Sequence, residues 1–184
     1  MGIAIADEAF NRGAKVVLVL GPVDQYPHSQ GIKIVNVVSA VEMAKATKKH
    51  FSNSDVTILA AAVADYTPES VSGSKIKKKN EGLVIRLKPT TDIAAELGKI
   101  KKTGQILVGF ALETENEQTN ALDKLKRKNL DLIVLNSLRD KGAGFRSDTN
   151  KVSFIDKNNI VKKFELKSKA EVASDILDKI ETIM

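Results

Sequence analysis

The 184-residue chain predicts one α/β domain, with a mostly parallel β-sheet covered on both faces by helices and an antiparallel hairpin towards the C-terminus. Three observations carry that prediction. Apolar runs of strand length, such as KVVLVL (15–20), QILVGFAL (105–112) and LDLIVL (130–135), recur along the chain. Segments with helical spacing, roughly ten to fifteen residues each, alternate with them, which is the pattern of a parallel sheet. No internal repeat and no linker composition divides the chain, and its length suits a single substantial core.

In order, Met1 to Arg12 places Ile3, Ile5, Ala6, Ala9 and Phe10 at helical spacing, with Gly13 as the stop. Lys15 to Leu20 reads as a buried strand broken by Gly21-Pro22, and Ile32 to Val38 as a second strand. Ser39 caps a helix from Ala40 to about His50, with Glu42 as its capping-box partner. Val56 to Leu59 is the next strand. Leu83 to Leu87 alternates apolar residues with Val84 and Arg86, as a strand with one more polar face would. Thr91 caps a helix from Asp92 to about Lys101. Gln105 to Leu112 is a buried strand, Asn116 to Lys128 an amphipathic helix, and Leu130 to Leu135 a further strand ending at Asn136. Ser137 to Asn150 reads as a loop. Lys151 to Ile155 and Ile160 to Leu166 form a hairpin turning at Lys157-Asn158-Asn159, and Ser168 caps a last helix running to Met184.

Composition narrows the function. A net charge of +6 and a pI near 9.4 favour anionic partners. Six Phe, two Tyr and no Trp make poor stacking platforms for single-stranded nucleic acid. Cysteine is absent, so disulfides, thiolate metal sites and cysteine nucleophiles are excluded. His28 and His50 are too few for a histidine metal centre. No apolar run reaches membrane length and no signal peptide is visible, so a soluble cytoplasmic protein with no membrane or nucleic-acid partner is expected.

The stretch from Asp55 to Lys79 organises the rest. A strand leads into small residues, Ala60 to Val63, which let a backbone or planar ligand approach closely, and then into Asp65 and Tyr66. Open α/β sheets bind ligands outside the carboxyl ends of their strands, where Asp65 falls. A flexible Thr67 to Ser74 segment and the lysines 75, 77, 78 and 79 follow; they read either as a lid over an anion or as a solvated basic loop. On the Asn116 to Lys128 helix, Ala121 and Leu125 mark the apolar face. Lys128 falls beside them and Lys124 at the stripe's edge, either snorkelling to water or meeting a buried anion. No phosphate-loop, dinucleotide, nucleophile-elbow or zinc motif is present; Gly142-Ala143-Gly144 precedes a strand rather than a helix.

Five pieces taken together resemble one family. They are Ala61-Ala62-Val63-Ala64-Asp65-Tyr66, Lys75-Ile76-Lys77-Lys78, Asp92-Ile93, Gly109-Phe110-Ala111-Leu112-Glu113-Thr114 and Lys124-x-x-x-Lys128-Asn129-Leu130-Asp131. In this order, over Gly2 to the C-terminus, the chain resembles phosphopantothenate–cysteine ligase (phosphopantothenoylcysteine synthetase) of coenzyme A biosynthesis. The resemblance implies a three-layer, Rossmann-like α/β/α fold, a homodimer, and ligation of 4′-phosphopantothenate to L-cysteine with CTP and Mg²⁺ through an acyl-cytidylate. It implies a nucleotide site lined by Asp65, Lys75, Phe110, Lys124 and Lys128, with Thr91, Asp92, Ile93 and Ala94 around base or ribose. Lys75 is the lysine it ties to catalysis, and Ala61 and Ala62 are substrate-side or dimer contacts. A separate phosphopantothenoylcysteine decarboxylase is an expected partner, since no flavin-dependent decarboxylase domain is visible.

Two departures stand out. Thr90-Thr91-Asp92-Ile93 replaces the family's Asn-Pro-Asp-Ile, with Pro89 displaced upstream. The family's N-terminal strand, glycine-rich turn and Asn-x-Ser-Ser-Gly segment would precede Met1, in keeping with a chain that opens on a helix. A non-catalytic nucleotide-binding module and a basic RNA-binding domain are the competing expectations.

Overall fold

The computed structural model describes residues 1–78, 82–113, 117–137 and 148–184. Helix α1 (Gly2–Asn11) leads to strands β1 (Val17–Leu20) and β2 (Lys33–Asn36), helix α2 (Ala40–Phe51) and strand β3 (Val56–Leu59). The short strands β4 (Tyr66–Pro68) and β5 (Leu87–Pro89) precede α3 (Ile93–Ile100), β6 (Ile106–Glu113), α4 (Glu117–Arg127) and β7 (Leu132–Ser137). Strands β8 (Thr149–Asn150), β9 (Val152–Asp156), β10 (Val161–Lys163) and β11 (Lys167–Ser168) and helix α5 (Lys169–Glu181) complete the chain.

The main sheet has the order β10-β9-β7-β6-β3. Strands β3, β6 and β7 run parallel, and β9 and β10 add the expected antiparallel hairpin. Alternation along the strands divides the core in two. Ile106 and Val108 of β6, Leu132 and Val134 of β7 and Phe154 of β9 face α1 and α5, packing with Ile5, Val172 and Ile176. Leu107, Ile133, Leu135 and Ile155 face the other way, onto Phe51 of α2, Leu97 of α3 and Ala121 and Leu125 of α4. The three-layer α/β/α expectation holds. Arg12 straps α1 to α5 through Asp178 (2.7 Å) and Glu181 (2.9 Å).

Several local expectations change. Strands β1 and β2 pair with each other in parallel, as a two-stranded sheet apart from the main one. Among the described residues β1 and β3 have a hydrogen-bonded neighbour on one side only, so they are half-buried rather than fully buried, Leu20 excepted. Residues 83–86, expected as strand, are irregular and exposed. The ribbon starts at Leu87, opposite Pro68, and reaches back only to the Arg86 carbonyl, which accepts from the Glu69 N–H at 2.9 Å. Thr67 and Pro68, expected in a flexible segment, belong to β4. The end of the expected 137–150 loop is β8, which pairs with β11. Lys79, Thr114, Asn116 and the Gly142–Gly144 segment lie outside the described residues.

The caps explain the helix starts. Ser39 accepts from the Glu42 N–H (3.2 Å), while the Glu42 carboxylate accepts from Val38 (2.8 Å) rather than from Ser39. Ser168 and Glu171 form the full reciprocal box. Helix α3 begins one residue later than expected: Asp92, not Thr91, is its cap and accepts from the Ala95 N–H at 3.0 Å. The Asp92 carboxylate also meets the positive end of the helix dipole, which strengthens the cap.

Candidate functional site

Asp65 lies six residues beyond β3, past the carboxyl edge of the parallel strands, and is exposed. Its backbone is held: the Thr90 N–H donates to the Asp65 carbonyl at 2.9 Å, and the Thr90 hydroxyl donates to the Ala64 carbonyl at 2.6 Å. These bonds continue the β4–β5 ribbon, in which Tyr66 faces Pro89. The stretch carrying Asp65 is thereby joined to the turn that starts α3.

That turn is also joined on its far side. The Lys128 ammonium meets Asp92 through both carboxylate oxygens, at 3.0 Å and 2.9 Å. Of the two fates open to Lys128, it meets an anion, one that is half-exposed. Burial works to raise the Asp92 carboxyl, but the Lys128 hydrogen bond, the Ala95 N–H and the charges of Lys128 and Arg127 outweigh it and hold it below its ordinary value.

The Lys128-Asn129-Leu130-Asp131 sequence shows why Lys128 is placed so firmly. Asn129 takes a left-handed backbone, φ 51°, and its side chain donates to the Gly98 carbonyl at 2.9 Å. The Lys128 carbonyl lies so close to Gly98 that a Cβ there would sit 2.0 Å from it. Leu130 fills the space that glycine leaves at position 109 of β6, where a Cβ would fall 2.8 Å from Leu130 Cδ1. Asp131 accepts from the Leu107 N–H and the Lys101 ammonium, both at 2.8 Å. The Lys128 side chain therefore runs back along α3 from Gly98 to Asp92.

Lys124 is half-buried on α4, beside the buried Ala121 and Leu125; Lys126 and Arg127 are exposed. With Asn120 and Asp123 these three basic residues line an open concavity of about 680 Å³. Ile93 and Ala94 form the half-buried first turn of α3, and Thr91 is exposed before it. Phe110 is half-buried among the side chains facing α1 and α5, on the opposite face of β6 from α4. A ligand crossing the carboxyl edge of the sheet can meet both faces, so this placement and core packing coexist. Ala61, Ala62 and Lys75 are exposed in irregular chain, and among the described residues no hydrogen bond or ion pair joins them to Asp92 or Lys128. A second depression, about 260 Å³, lies near the start of β6, lined by Lys101, Gln105, Asp131 and Lys157 among others, and contains none of the expected site residues.

The structure therefore brings together Asp65, Thr91, Asp92, Ile93, Ala94 and Lys128 through one turn. Sequence reading missed the roles of Thr90, Gly98 and Asn129. Only the Thr90-Thr91 departure draws attention to that turn, since a lone threonine hydroxyl or a glycine within a helix carries no periodic signal.

The chain matches, over residues 1–184, the family described as the DNA/pantothenate metabolism flavoprotein C-terminal domain. It is 59% identical over its whole length to a cysteine/cysteine sulfinic acid decarboxylase from an unknown prokaryotic organism, covering 51% of that protein. It is 42% identical over 183 residues to the coenzyme A biosynthesis bifunctional protein CoaBC of Bacillus subtilis (strain 168), covering 45% of it. The chain thus spans about half the length of the curated relatives it matches. Among solved structures it superposes on the C-terminal domain of a coenzyme A biosynthesis bifunctional protein CoaBC with a TM-score of 0.83 and 39% identity, covering 99% of this chain and 81% of that one. The chain belongs to the DNA/pantothenate metabolism flavoprotein C-terminal domain family, the one to which its resemblance to phosphopantothenate–cysteine ligases pointed.

Proposed function

We infer that the chain is the ligase part of coenzyme A biosynthesis, joining 4′-phosphopantothenate to L-cysteine at the expense of CTP. The observation that carries this reading is the turn that holds Asp65, past the carboxyl edge of a parallel sheet, on one side and the Asp92–Lys128 pair on the other. Acidic groups beside lysines suit a nucleotide, with carboxylates for ribose or base and ammoniums for phosphates. The chain also aligns with 81% of the solved C-terminal domain of a CoaBC protein.

In the proposed reaction the phosphopantothenate carboxylate attacks the α-phosphorus of CTP, pyrophosphate leaves and an acyl-cytidylate forms. The cysteine amine then attacks the activated carbonyl, loses its proton and expels CMP. The first step brings anion to anion, so charge neutralisation dominates. Lys75, Lys124 and Lys128 supply it, together with Mg²⁺ carried on the triphosphate. Among the described residues no group of three or more His, Asp or Glu side chains gathers as a metal site. Asp65 repels phosphate and so serves the ribose or base. No described helix is long and apolar enough to cross a membrane. Tyr66, Val71, Ile76, Leu83 and Val84 are exposed on the arm around β4 and β5, giving the proposed homodimer an apolar surface.

The relative named as a cysteine decarboxylase favours a second reading, in which the same half serves a longer protein that releases CO₂ from cysteine. Calorimetric titration with Mg·CTP and Mg·ATP, followed by phosphopantothenate- and cysteine-dependent release of pyrophosphate, separates the readings. Saturable CTP binding, weakened about tenfold or more by Lys128→Ala or Lys124→Ala, supports the ligase. Preference for ATP keeps the site and changes the cosubstrate. Nucleotide-independent CO₂ release from cysteine favours the second reading. No binding of either nucleotide, with or without the relatives' upstream segment supplied, overturns the ligase reading.

A further inference from the structure

We propose that Thr90 is the positioning residue for Asp65, acting through its side-chain hydroxyl; this rests on the reading that Asp65 serves the ribose or base. Ala64 and Asp65 lie in irregular, exposed chain between β3 and β4, outside both strands. Two bonds from Thr90 hold them, the hydroxyl to the Ala64 carbonyl at 2.6 Å and the N–H to the Asp65 carbonyl at 2.9 Å. Two residues on, Asp92 is locked by the Ala95 N–H and by Lys128. The segment 90–92 is thus a rigid yoke with Asp65 on one arm and the Lys128 ammonium on the other. It sets the separation between the group that reads the nucleoside and a group that meets its phosphates.

Without the hydroxyl, Thr90 keeps a single backbone bond to this stretch, and the Asp65 peptide can swing about it. Ala64 is exposed and water can replace the lost donor, so folding is little affected. The defect falls on alignment.

The test compares Thr90→Val, which keeps shape and N–H, with Thr90→Ser, which keeps the hydroxyl. Two probes are titrated by calorimetry: the nucleotide the parent chain prefers, and inorganic tripolyphosphate, which has no ribose or base. Thr90→Val is expected to weaken nucleotide binding about tenfold and tripolyphosphate binding less than about twofold, with Thr90→Ser close to the parent. In an Asp65→Ala background the Thr90→Val penalty is expected to vanish, because the two residues act as one unit. Nucleotide binding by Thr90→Val equal to the parent overturns the proposal. So does equal weakening of both probes, which marks general loosening, or a penalty that persists undiminished without the Asp65 carboxylate. A parent chain that binds neither CTP nor ATP overturns the nucleotide-site reading itself, and this proposal falls with it.

Discussion

Lys75 and Lys128 stand in contrasting environments, and their substitutions should fail differently. Lys128 is half-buried and paired with Asp92, so Lys128→Ala leaves a carboxylate without its partner as well as removing a phosphate contact. Lys75 is exposed in irregular chain just after the small turn in which the Ser72 hydroxyl donates to the Ser74 carbonyl at 2.7 Å. Its side chain packs into neither half of the core. Lys75→Gln should therefore retain the parent's thermal midpoint and most of its nucleotide affinity while losing about 10²–10³ in turnover, the usual loss of one transition-state electrostatic contact. Single-turnover assays beside titration would measure the split, and parent-like turnover would remove Lys75 from catalysis. At this scale the sequence announces the charged groups, because a carboxylate past a strand and a lysine beside an apolar stripe are visible exceptions to a pattern. It cannot announce Thr90, whose role depends on a carbonyl contributed 26 residues away.

Helix α3 is the element on which the site's geometry depends. It is pinned at both ends, by the Asp92 cap and by Lys101, whose ammonium donates to the Asn129 carbonyl at 2.7 Å and to Asp131 at 2.8 Å. Between them Gly98 lets the Lys128 carbonyl touch the helix backbone. A methyl at Gly98 meets backbone atoms on the facing turn, which cannot rotate away, so α3 and that turn must separate. Gly98→Ala should cost about 1–3 kcal/mol despite alanine's better helix propensity, and should weaken nucleotide binding by drawing Lys128 from Asp92. Denaturant unfolding checks the first effect and titration the second; a Gly98→Ala protein as stable as the parent would show that α3 can slide. The existence of α3 is legible from a capping oxygen before it and from the alternation of helices with strands along the chain. Its start is not legible, because Thr91 and Asp92 both carry capping oxygens and only the fold decides which faces the Ala95 N–H. The alternation at Leu83 to Leu87 misleads for a related reason: a strand needs a neighbour, and the partner strand of this ribbon ends at Pro68. The separation of β1 and β2 from the main sheet depends on strand order, which local patterns do not encode.

Across the whole molecule, depressed carboxyls set the response to acid. Burial works to raise Asp7, Asp92 and Asp156 but is outweighed: at Asp7 by the Ser29 and His28 N–H groups, at Asp92 by Lys128, and at Asp156 by Lys179 with the Ile160 and Asn158 N–H groups. At Glu171 the Ser168 hydroxyl and N–H hold the carboxyl down. A carboxyl whose folded pKa lies below its unfolded one binds fewer protons folded than unfolded. Its stabilisation is complete above the unfolded values, 3.8 for aspartate and 4.5 for glutamate, and is lost as pH falls through the lower folded values. The thermal midpoint should therefore vary little on these groups' account from neutral pH to about 5 and drop steeply below about 4. Asp156 offers the sharpest test, since its side chain is 3% exposed and its contacts tie the β9–β10 turn to α5 through Lys179 at 2.8 Å. Asp156→Asn keeps an acceptor for the two turn N–H groups but removes the charge facing Lys179. It should cost roughly 1.5–3 kcal/mol at pH 7, the range for a hydrogen bond to a charged group. As pH falls through the lowered folded value the parent's own Asp156 takes up its proton, so the difference between the two proteins should shrink towards zero. Midpoints measured by circular dichroism from pH 7 to 2 decide the matter: a gap that stays constant across that range would mean the Asp156 carboxylate is held by packing and shape, with its charge contributing nothing to the acid response.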